Sequence, residues 1–208
     1  SKMSKSKKNY PDPNLIFDKY GADALRFYLM SSTLMRGQDL NFSENGVKEV
    51  YRQTTILLRH IKNFYDLFGK ANKVLTDNSS KHILDRWIIS RLNLLIRDAT
   101  NSLDNYDTAK TCSFIVSFID ELSTWYVRRS RDRFKSSDKK EKSSAVETLA
   151  HVLHALSRVI APITPFIAED IHQSFKGLKV SESVHLEAWP IFNEDLIDSK
   201  LNESMDLT

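Results

Sequence analysis

The chain has 208 residues with 41% hydrophobic and 27% charged side chains and a net charge of +3, which suits one globular domain with at most a small appendage. A single cysteine, Cys112, excludes a disulfide framework and a cysteine-based zinc cluster. No apolar run approaches the roughly 18 residues that span a bilayer, so we expect a cytoplasmic protein without a membrane contact. Cys112 lies on an apolar stripe and is expected in the core.

The first thirty residues read as a basic terminus followed by two short helices. Residues 1–8 contain four lysines and no acid. Asp12 directly before Pro13 predicts a helix start, because Asp caps free backbone N–H groups and Pro fits the first helical turn. Gly21 is typical of a helix end, and the apolar residues within 22–32 predict a second helix.

Four longer helices follow from the spacing of the apolar residues. The alternation at 39–42 predicts a short strand, and Ser43 is then the expected N-cap of the first long helix. Beyond Ser43, apolar residues recur every three or four positions, which is typical of amphipathic helices. The four runs cover residues 47–68, 84–103, 112–127 and 146–160.

The later boundaries depend on local signals. Ser144 and Glu147 have the spacing of a capping box and predict the start of the fourth long helix, after a lysine- and serine-rich loop at 136–143. Thr164-Pro165 predicts the start of a further short helix. Residues 184–189 alternate weakly, and no regular structure is predicted for the polar residues beyond them.

Together these elements predict an all-α protein. Four amphipathic helices with short connections favour an antiparallel bundle. We divide the chain into a small N-terminal subdomain (1–43), the bundle (44–175) and an acidic C-terminal extension (176–208).

The modest net charge conceals two regions of opposite sign. Residues 126–142 contain eight bases and three acids, whereas residues 181–208 contain seven acids and one lysine. This asymmetry indicates a polyanion held on one side of the body. Ordinary clustering of solvated surface charge is the alternative.

Several segments resemble class I aminoacyl-tRNA synthetases of the isoleucine, valine, leucine and methionine subgroup. The motif Lys2-Met3-Ser4-Lys5-Ser6 matches the KMSKS signature loop of these enzymes without substitution. The other similar segments follow in the order of the family: 9–13 (NYPDP), 19–26 (KYGADALR), 125–134 (WYVRRSRDRF), 160–169 (IAPITPFIAE) and 183–190 (SVHLEAWP). Segment 125–134 resembles the isoleucyl form, and segment 183–190 resembles the isoleucyl and valyl forms.

The resemblance implies a role for the N-terminal motif in amino-acid activation. The loop closes over the phosphates of ATP in this family, so Lys2 and Lys5 are the implied catalytic residues, and Ser4 and Ser6 join them in binding ATP. Compact ammonium groups on flexible stems suit the negative charge that develops as pyrophosphate leaves. Removal of one preorganised donor at such a centre typically costs about 10²–10³ in rate. ATP with Mg²⁺ is the implied cofactor of the parent enzyme, and this chain alone is expected to bind neither.

The resemblance also implies tRNA as the partner. The N-terminal subdomain of the family contacts the inside of the tRNA bend, and the bundle binds the anticodon stem-loop. A His-x-Gly-His element and a cysteine-zinc module, both known in the family, are absent from these 208 residues. We therefore expect a downstream piece of a larger, monomeric isoleucine–tRNA ligase, inactive by itself.

An arginine-rich cluster supplies the candidate tRNA contacts. Arg128, Arg131 and Lys135 share one helical face by their spacing, and Arg129 and Arg133 share an adjacent face. Guanidinium groups match phosphate oxygens, and arginine or aromatic planes stack on unpaired bases. In the alternative interpretation, the arginines pair with neighbouring acids and Trp125 packs in the core. The candidate contacts are Trp125, Arg128, Arg129, Arg131, Arg133 and Lys135.

A histidine pair and two rival functions compete with this interpretation. His151 and His154 have a spacing that can share a metal ion, but no third ligand is near in sequence, so no metal is expected. The rival functions are a valine–tRNA ligase and a standalone helical RNA-binding or protein-interaction module. Segment 125–134 favours the isoleucyl form. A continuous upstream reading frame for a nucleotide-binding domain would exclude the standalone module.

Overall fold

The computed structural model of the chain describes residues 12–68 and 80–207. These residues form α-helices with short 3-10 and π segments and no β-strand, which confirms the predicted all-α class. The α-helices are α1 (Pro13–Met30), α2 (Glu44–Tyr51), α3 (Leu57–Phe68), α4 (Ile83–Asp104), α5 (Thr108–Asp120), α6 (Arg128–Phe134), α7 (Lys139–Ile160), α8 (Pro165–Gln173) and α9 (Ser199–Asp206).

Helix α1 begins and breaks where the sequence predicts. The side chain of Asp12 accepts a hydrogen bond from the backbone N–H of Asn14 at 2.9 Å, and Pro13 occupies the first turn. Gly21 interrupts the helix with φ 79° and ψ 165°, a conformation that residues with a Cβ rarely adopt. The second half continues to Met30.

The predicted strand at 39–42 is wrong. Residues 38–43 are irregular, because the backbone there bonds to a side chain of α1 rather than to a neighbouring strand. The hydroxyl of Tyr28 accepts from the backbone N–H of Ser43 at 3.1 Å, and the Phe42 ring meets the Tyr28 ring edge-on at 5.5 Å. Ser43 then caps α2 by accepting from the N–H of Gly46 at 3.2 Å, as predicted.

Two π-helical segments lie inside the longest helical stretches. Arg52–Ile56 joins α2 to α3, and Glu121–Val127 joins α5 to α6. A π segment inserts one extra residue into a turn, so it rotates the following side chains relative to the preceding helix. The two stretches therefore depart from a uniform helical repeat without ending.

One main core holds the bundle together. Helix α4 packs against α5 and α7, and α7 also packs against α6 and α8. A smaller cluster joins α1 to α2 around Ile16, Ala24 and Val47. The largest fully buried side chains of the main core are Tyr65, Tyr126, Phe27, Phe134, Phe175, Leu58, Ile61, Ile88, Ile89, Leu92 and Ile115.

Helix α7 begins earlier than the sequence predicts. Asp138 is its N-cap and accepts from the backbone N–H of Lys140 at 2.8 Å. Ser144, predicted to cap the helix, lies inside it, and its hydroxyl donates to the carboxylate of Asp85 at 3.2 Å. The predicted capping box is therefore wrong, since a partner on α4 engages Ser144.

The C-terminal segment is ordered against α4, although no regular structure was predicted there. Short 3-10 turns occur at Val184–Leu186 and Glu194–Leu196, and α9 follows. The segment bonds to polar side chains of α4: Trp189 Nε1 donates to Thr100 Oγ1, the N–H of Asn193 donates to Asn93 Oδ1, and the N–H of Asp198 donates to Ser90 Oγ, at 2.7–2.8 Å. None of the described helices is both long and apolar enough to cross a bilayer.

Candidate nucleic-acid interface

The basic cluster lies on α6 and on Lys135, the residue that ends this helix, directly after the second π segment. Four of its bases point to solvent, whereas Tyr126, Ser130 and Phe134, at intervals of four residues, are buried in the same stretch. The buried face packs the helix against the bundle, and the opposite face carries the charged side chains. The exposed bases are Arg128, Arg129, Arg131 and Lys135.

No acid in the described part of the chain neutralises these four bases. Within residues 12–68 and 80–207 none of them forms an ion pair. The alternative pairing of Arg128 or Arg129 with Asp120 or Asp132 is therefore not what the structure contains. Unpaired, exposed cations on one helix form a surface that attracts phosphate.

Trp125 belongs partly to the core and partly to this surface. Its ring is half-buried and packs at 6.2 Å from the ring of Trp87 on α4. The guanidinium of Arg129 lies over the Trp125 ring at 4.0 Å from the centroid, a favourable cation–π distance. Trp125 therefore packs against the core and also supports an exposed arginine, and its contact with tRNA stays a prediction.

Arg133 lies in a different place from the other candidates. It is 9% exposed, and its Nη1 and Nη2 groups donate to the two carboxylate oxygens of Asp85 at 2.6 and 2.7 Å. Its Nε also donates to Glu141, and the hydroxyl of Tyr126 donates to Asp85 at 2.8 Å. The structure therefore gives Arg133 an internal partner, and we remove it from the set of candidate tRNA contacts.

Asp85 is fully buried and remains a good acceptor. Burial raises the pKa of its carboxyl, but hydrogen bonds from Arg133, Ser80 and Tyr126 outweigh burial and hold the pKa below its ordinary value. Because the charged carboxylate is favoured, the buried arginine retains its counter-charge.

A second polar contact joins α1 to the start of α8. The carboxylate of Asp23 accepts from the backbone N–H groups of Phe166 at 3.3 Å and Ile167 at 2.7 Å. These are free donors of the first turn of α8, and the side chain of Thr164, the predicted cap, makes no capping bond. Burial raises the pKa of Asp23 above its ordinary value, against the opposing effect of these two donors and of Arg26.

Arg26 completes this joint. Its Nη2 donates to the carbonyl of Pro162 at 2.9 Å, and its Nε donates to the carbonyl of Ile163 at 3.0 Å. The α7–α8 turn is thus held by an acid and a base one helical turn apart on α1. The sequence placed Asp23 and Arg26 in one family-like segment and the turn in another, but nothing local in either segment indicated that they meet.

An open groove borders the joint. It runs between α1, the first π segment and α8, and the side chain of Phe166 at its edge is 68% exposed. The residues along it are Tyr20, Gly21, Ala22, Asp23, Thr55, Arg59, Phe166, Ile167 and Asp170.

The predicted ATP-binding residues Lys2, Ser4, Lys5 and Ser6 lie outside the described residues. Cys112 is buried in α5, as predicted, and burial raises the pKa of its thiol to about 12.

Comparison with known proteins finds two families along the chain. A family described as "Anticodon-binding domain of tRNA ligase" matches residues 85–208, and one described as "tRNA synthetases class I (I, L, M and V)" matches residues 1–43. The isoleucine–tRNA ligase of Chlamydia trachomatis serovar D is 43% identical over 195 residues, which cover 91% of this chain and 19% of that protein. The isoleucine–tRNA ligase of Chlamydia abortus is 39% identical over 211 residues, covering 99% of this chain and 20% of that protein.

A solved structure shares the fold. The ternary complex of Agrobacterium radiobacter K84 agnB2 LeuRS with tRNA and LeuAMS aligns with 94% of this chain and 23% of its own chain, with a TM-score of 0.64 and 22% identity. The chain spans about a fifth of the length of the curated relatives above.

Proposed function

Because the chain belongs to the anticodon-binding domain family of class I tRNA ligases, we propose that it is part of an isoleucine–tRNA ligase and binds the anticodon stem-loop of isoleucine tRNA. The isoleucine assignment is supported by the two chlamydial relatives, both named isoleucine–tRNA ligase. The tRNA contact is supported by the exposed, unpaired bases on α6.

The proposed contact surface consists of Arg128, Arg129, Arg131 and Lys135. Their charges engage phosphates of the anticodon stem-loop, since guanidinium groups match phosphate oxygens in a bidentate manner. The Arg129 guanidinium on the Trp125 ring offers a flat, polar face on which an unpaired base can stack. The surface combines the two features that single-stranded loops require, positive charge and planar platforms.

The N-terminal subdomain, residues 1–43, is proposed to contact the tRNA stem and to carry the ATP loop. Lys2 and Lys5 stabilise the charge that develops on the ATP phosphates, with Ser4 and Ser6 as further phosphate ligands and Mg²⁺ as the cofactor of the whole enzyme. The bundle of 44–175 and the extension of 176–208 supply the anticodon-binding body. Asp23 and Arg26 fix the bundle relative to the subdomain, so binding at one end has a defined geometry at the other.

The whole enzyme is proposed to be a cytoplasmic monomer that forms isoleucyl-adenylate from ATP and isoleucine. The 208-residue chain is proposed to be inactive alone, because it contains no His-x-Gly-His element. Isoleucine-dependent exchange of pyrophosphate into ATP tests this directly. Exchange above background with the isolated chain would overturn the proposal of inactivity and leave the tRNA-binding proposal untouched.

Binding to tRNA is the decisive experiment. The chain is titrated with isoleucine tRNA, with the same tRNA carrying a replaced anticodon, and with valine tRNA, across a salt series. We expect the replaced anticodon to lose affinity and log K to fall steeply with log salt, because phosphate contacts release counterions. Preference for valine tRNA would favour the valyl alternative, and equal weak binding to all three would overturn anticodon recognition by this chain.

A further inference from the structure

Three potential metal ligands meet where α7, α8 and the segment after α8 come together. They are His154 on α7, His172 on α8 and Glu187, and one ligand atom of each lies within 4.8 Å of the other two. The sequence spacing indicates a different pair, His151 and His154, as residues that can share a metal ion. The three ligands are 18 and 15 positions apart in sequence, so no local pattern reveals them, and the fold brings them together.

A hydrogen bond to the backbone fixes the tautomer of His172. Its Nε2 lies 2.9 Å from the carbonyl oxygen of Ser181, and a carbonyl only accepts, so Nε2 carries the hydrogen. The lone pair is therefore on Nδ1. This nitrogen is buried and has no hydrogen-bond partner among the described residues, in a side chain that is 1% exposed. Burying a polar atom without a hydrogen-bond partner costs folding free energy, and a bound ligand would remove that cost.

His154 presents a second nitrogen of the same kind. Its Nε2 is buried without a hydrogen-bond partner in the described parts of the chain, and the residue is 8% exposed. The nearest acid oxygen, Glu187 Oε1, is 3.9 Å away, beyond hydrogen-bond reach.

Glu187 supplies the negative charge of the cluster. Ser181 N donates to Glu187 Oε1 at 2.7 Å. One residue, Ser181, therefore orients two of the three ligands, with its N–H on Glu187 and its carbonyl on His172.

We propose that His154, His172 and the carboxylate of Glu187 form a zinc site that ties α7 and α8 to the segment after them. Two imidazoles and one carboxylate are a common zinc ligand set, with water in the fourth position. The backbone of Ser181 provides the outer hydrogen bonds that such ligands need. Closing the ligands to the ~2.1 Å zinc distances requires a shift of Glu187, which lies on an irregular segment. The nearby Arg158 is partly balanced by Glu187.

One of the three proposed ligands, His172, lies beside a groove. The groove is open to solvent and is lined by Gln173, Lys176, Gly177, Val180, Ser181 and Glu182. Water in this groove is the proposed source of the fourth ligand. If no metal binds, the same groups form only an internal His–Glu contact, and this is the alternative that the experiment separates.

Metal titration of the 208-residue chain tests the proposal. The chain is stripped with EDTA, exchanged into metal-free buffer and titrated with ZnCl₂ by calorimetry. CoCl₂ is used as a spectroscopic probe of tetrahedral geometry. We expect one zinc per chain, visible cobalt bands of tetrahedral intensity, and a Tm raised by about 5 °C at a hundredfold excess of zinc over Kd.

Two near-isosteric variants separate ligation from folding. Glu187→Gln keeps an acceptor for the N–H of Ser181, and His172→Gln keeps a donor to its carbonyl. Loss of an outer-shell partner alone costs about 10–100-fold in metal affinity, so each variant is expected to lose at least tenfold. The controls His60→Gln and His185→Gln remove exposed histidines and should change nothing.

Three results would overturn the zinc site. They are no saturable binding near one equivalent, unchanged affinity in Glu187→Gln, or loss of affinity in either control. Circular dichroism without metal checks that each variant is folded. Should His172→Gln unfold, Glu187→Gln and the cobalt spectrum of the unaltered chain decide the question, because Glu187 lies at the edge of the cluster.

Discussion

Arg133 donates two hydrogen bonds to the carboxylate of Asp85, at 2.6 and 2.7 Å, across 48 residues of sequence. The pair joins the end of α6 to the start of α4, and the hydroxyl of Tyr126 on the second π segment donates to the same carboxylate. One member of the basic cluster is thus an internal anchor. It fixes the helix whose other bases face solvent, so folding and the proposed tRNA contact depend on neighbouring arginines in different ways.

Replacement of Asp85 by Asn tests this anchor. The variant leaves the buried Arg133 with Glu141 as its remaining acidic partner, and breaking one side of a buried ion pair typically costs about 3–5 kcal/mol. We expect a loss of that order in the free energy of unfolding, measured by urea denaturation. Lys19→Met, which breaks the exposed Lys19–Glu44 pair, is the control and should cost far less. If Asp85→Asn lost no more stability than Lys19→Met, Glu141 alone would be a sufficient partner for Arg133.

The same carboxylate predicts an acid-sensitive component of stability. The pKa of Asp85 is lower in the folded chain than the ~3.9 of an unfolded Asp. Its contribution is therefore fully present above about pH 4 and is lost as the pH falls through the folded-state pKa. Urea denaturation between pH 6 and pH 3 should show a shallower decline for Asp85→Asn than for the unaltered chain. Parallel curves would contradict a lowered pKa for Asp85.

Cys112 is expected to be inert in the folded chain. Burial raises the pKa of its thiol to about 12, and the thiolate is the reactive form. At pH 8 a disulfide reagent such as DTNB should react slowly or not at all with the native protein and stoichiometrically in urea. Rapid native reaction would place the thiol at the surface and contradict its core position.

The predictable parts of the fold depend on residues that are close together in sequence. The helices of the bundle follow from apolar spacing, and Asp12 and Ser43 cap their helices through amides two and three residues away. Gly21 breaks α1 because its positive φ is a property of the residue itself. In each case the information lies within one turn of the chain.

The parts that were missed depend on distant partners. Ser144 has the spacing of a cap but engages Asp85, 59 residues earlier. The polar C-terminal segment is ordered by Ser90 and Asn93, about a hundred residues away. Arg133 resembles its neighbours on α6 in sequence, because charge alone does not distinguish an arginine that pairs with a buried acid from one that faces solvent. Sequence spacing carries no record of such long-range hydrogen bonds.

The joint between α1 and α8 should respond to a change at Asp23. Asp23→Ala leaves the N–H groups of Phe166 and Ile167 without their acceptor, and loss of a helix cap costs about 0.5–2 kcal/mol. Asp23→Asn keeps an acceptor and should cost less. Hydrogen exchange should become faster at these two amides in the Ala variant while α4 stays protected. Uniform acceleration across the chain would indicate global destabilisation rather than release of the joint.

The exposed bases of α6 should act on tRNA binding and not on folding. Replacing Arg128 and Arg131 together by Gln removes two unpaired charges. Each lost phosphate contact should reduce the slope of log K against log salt by about 0.7–0.9.

Arg86→Gln is the matched control, because that exposed arginine is already paired with Asp198. Filter binding to isoleucine tRNA between 50 and 200 mM salt, about the range over which phosphate contacts weaken strongly, measures the slopes. An equal change in the control would show that total charge, rather than the α6 surface, governs binding. Unchanged urea midpoints in all three proteins would confirm that these arginines do not support the core.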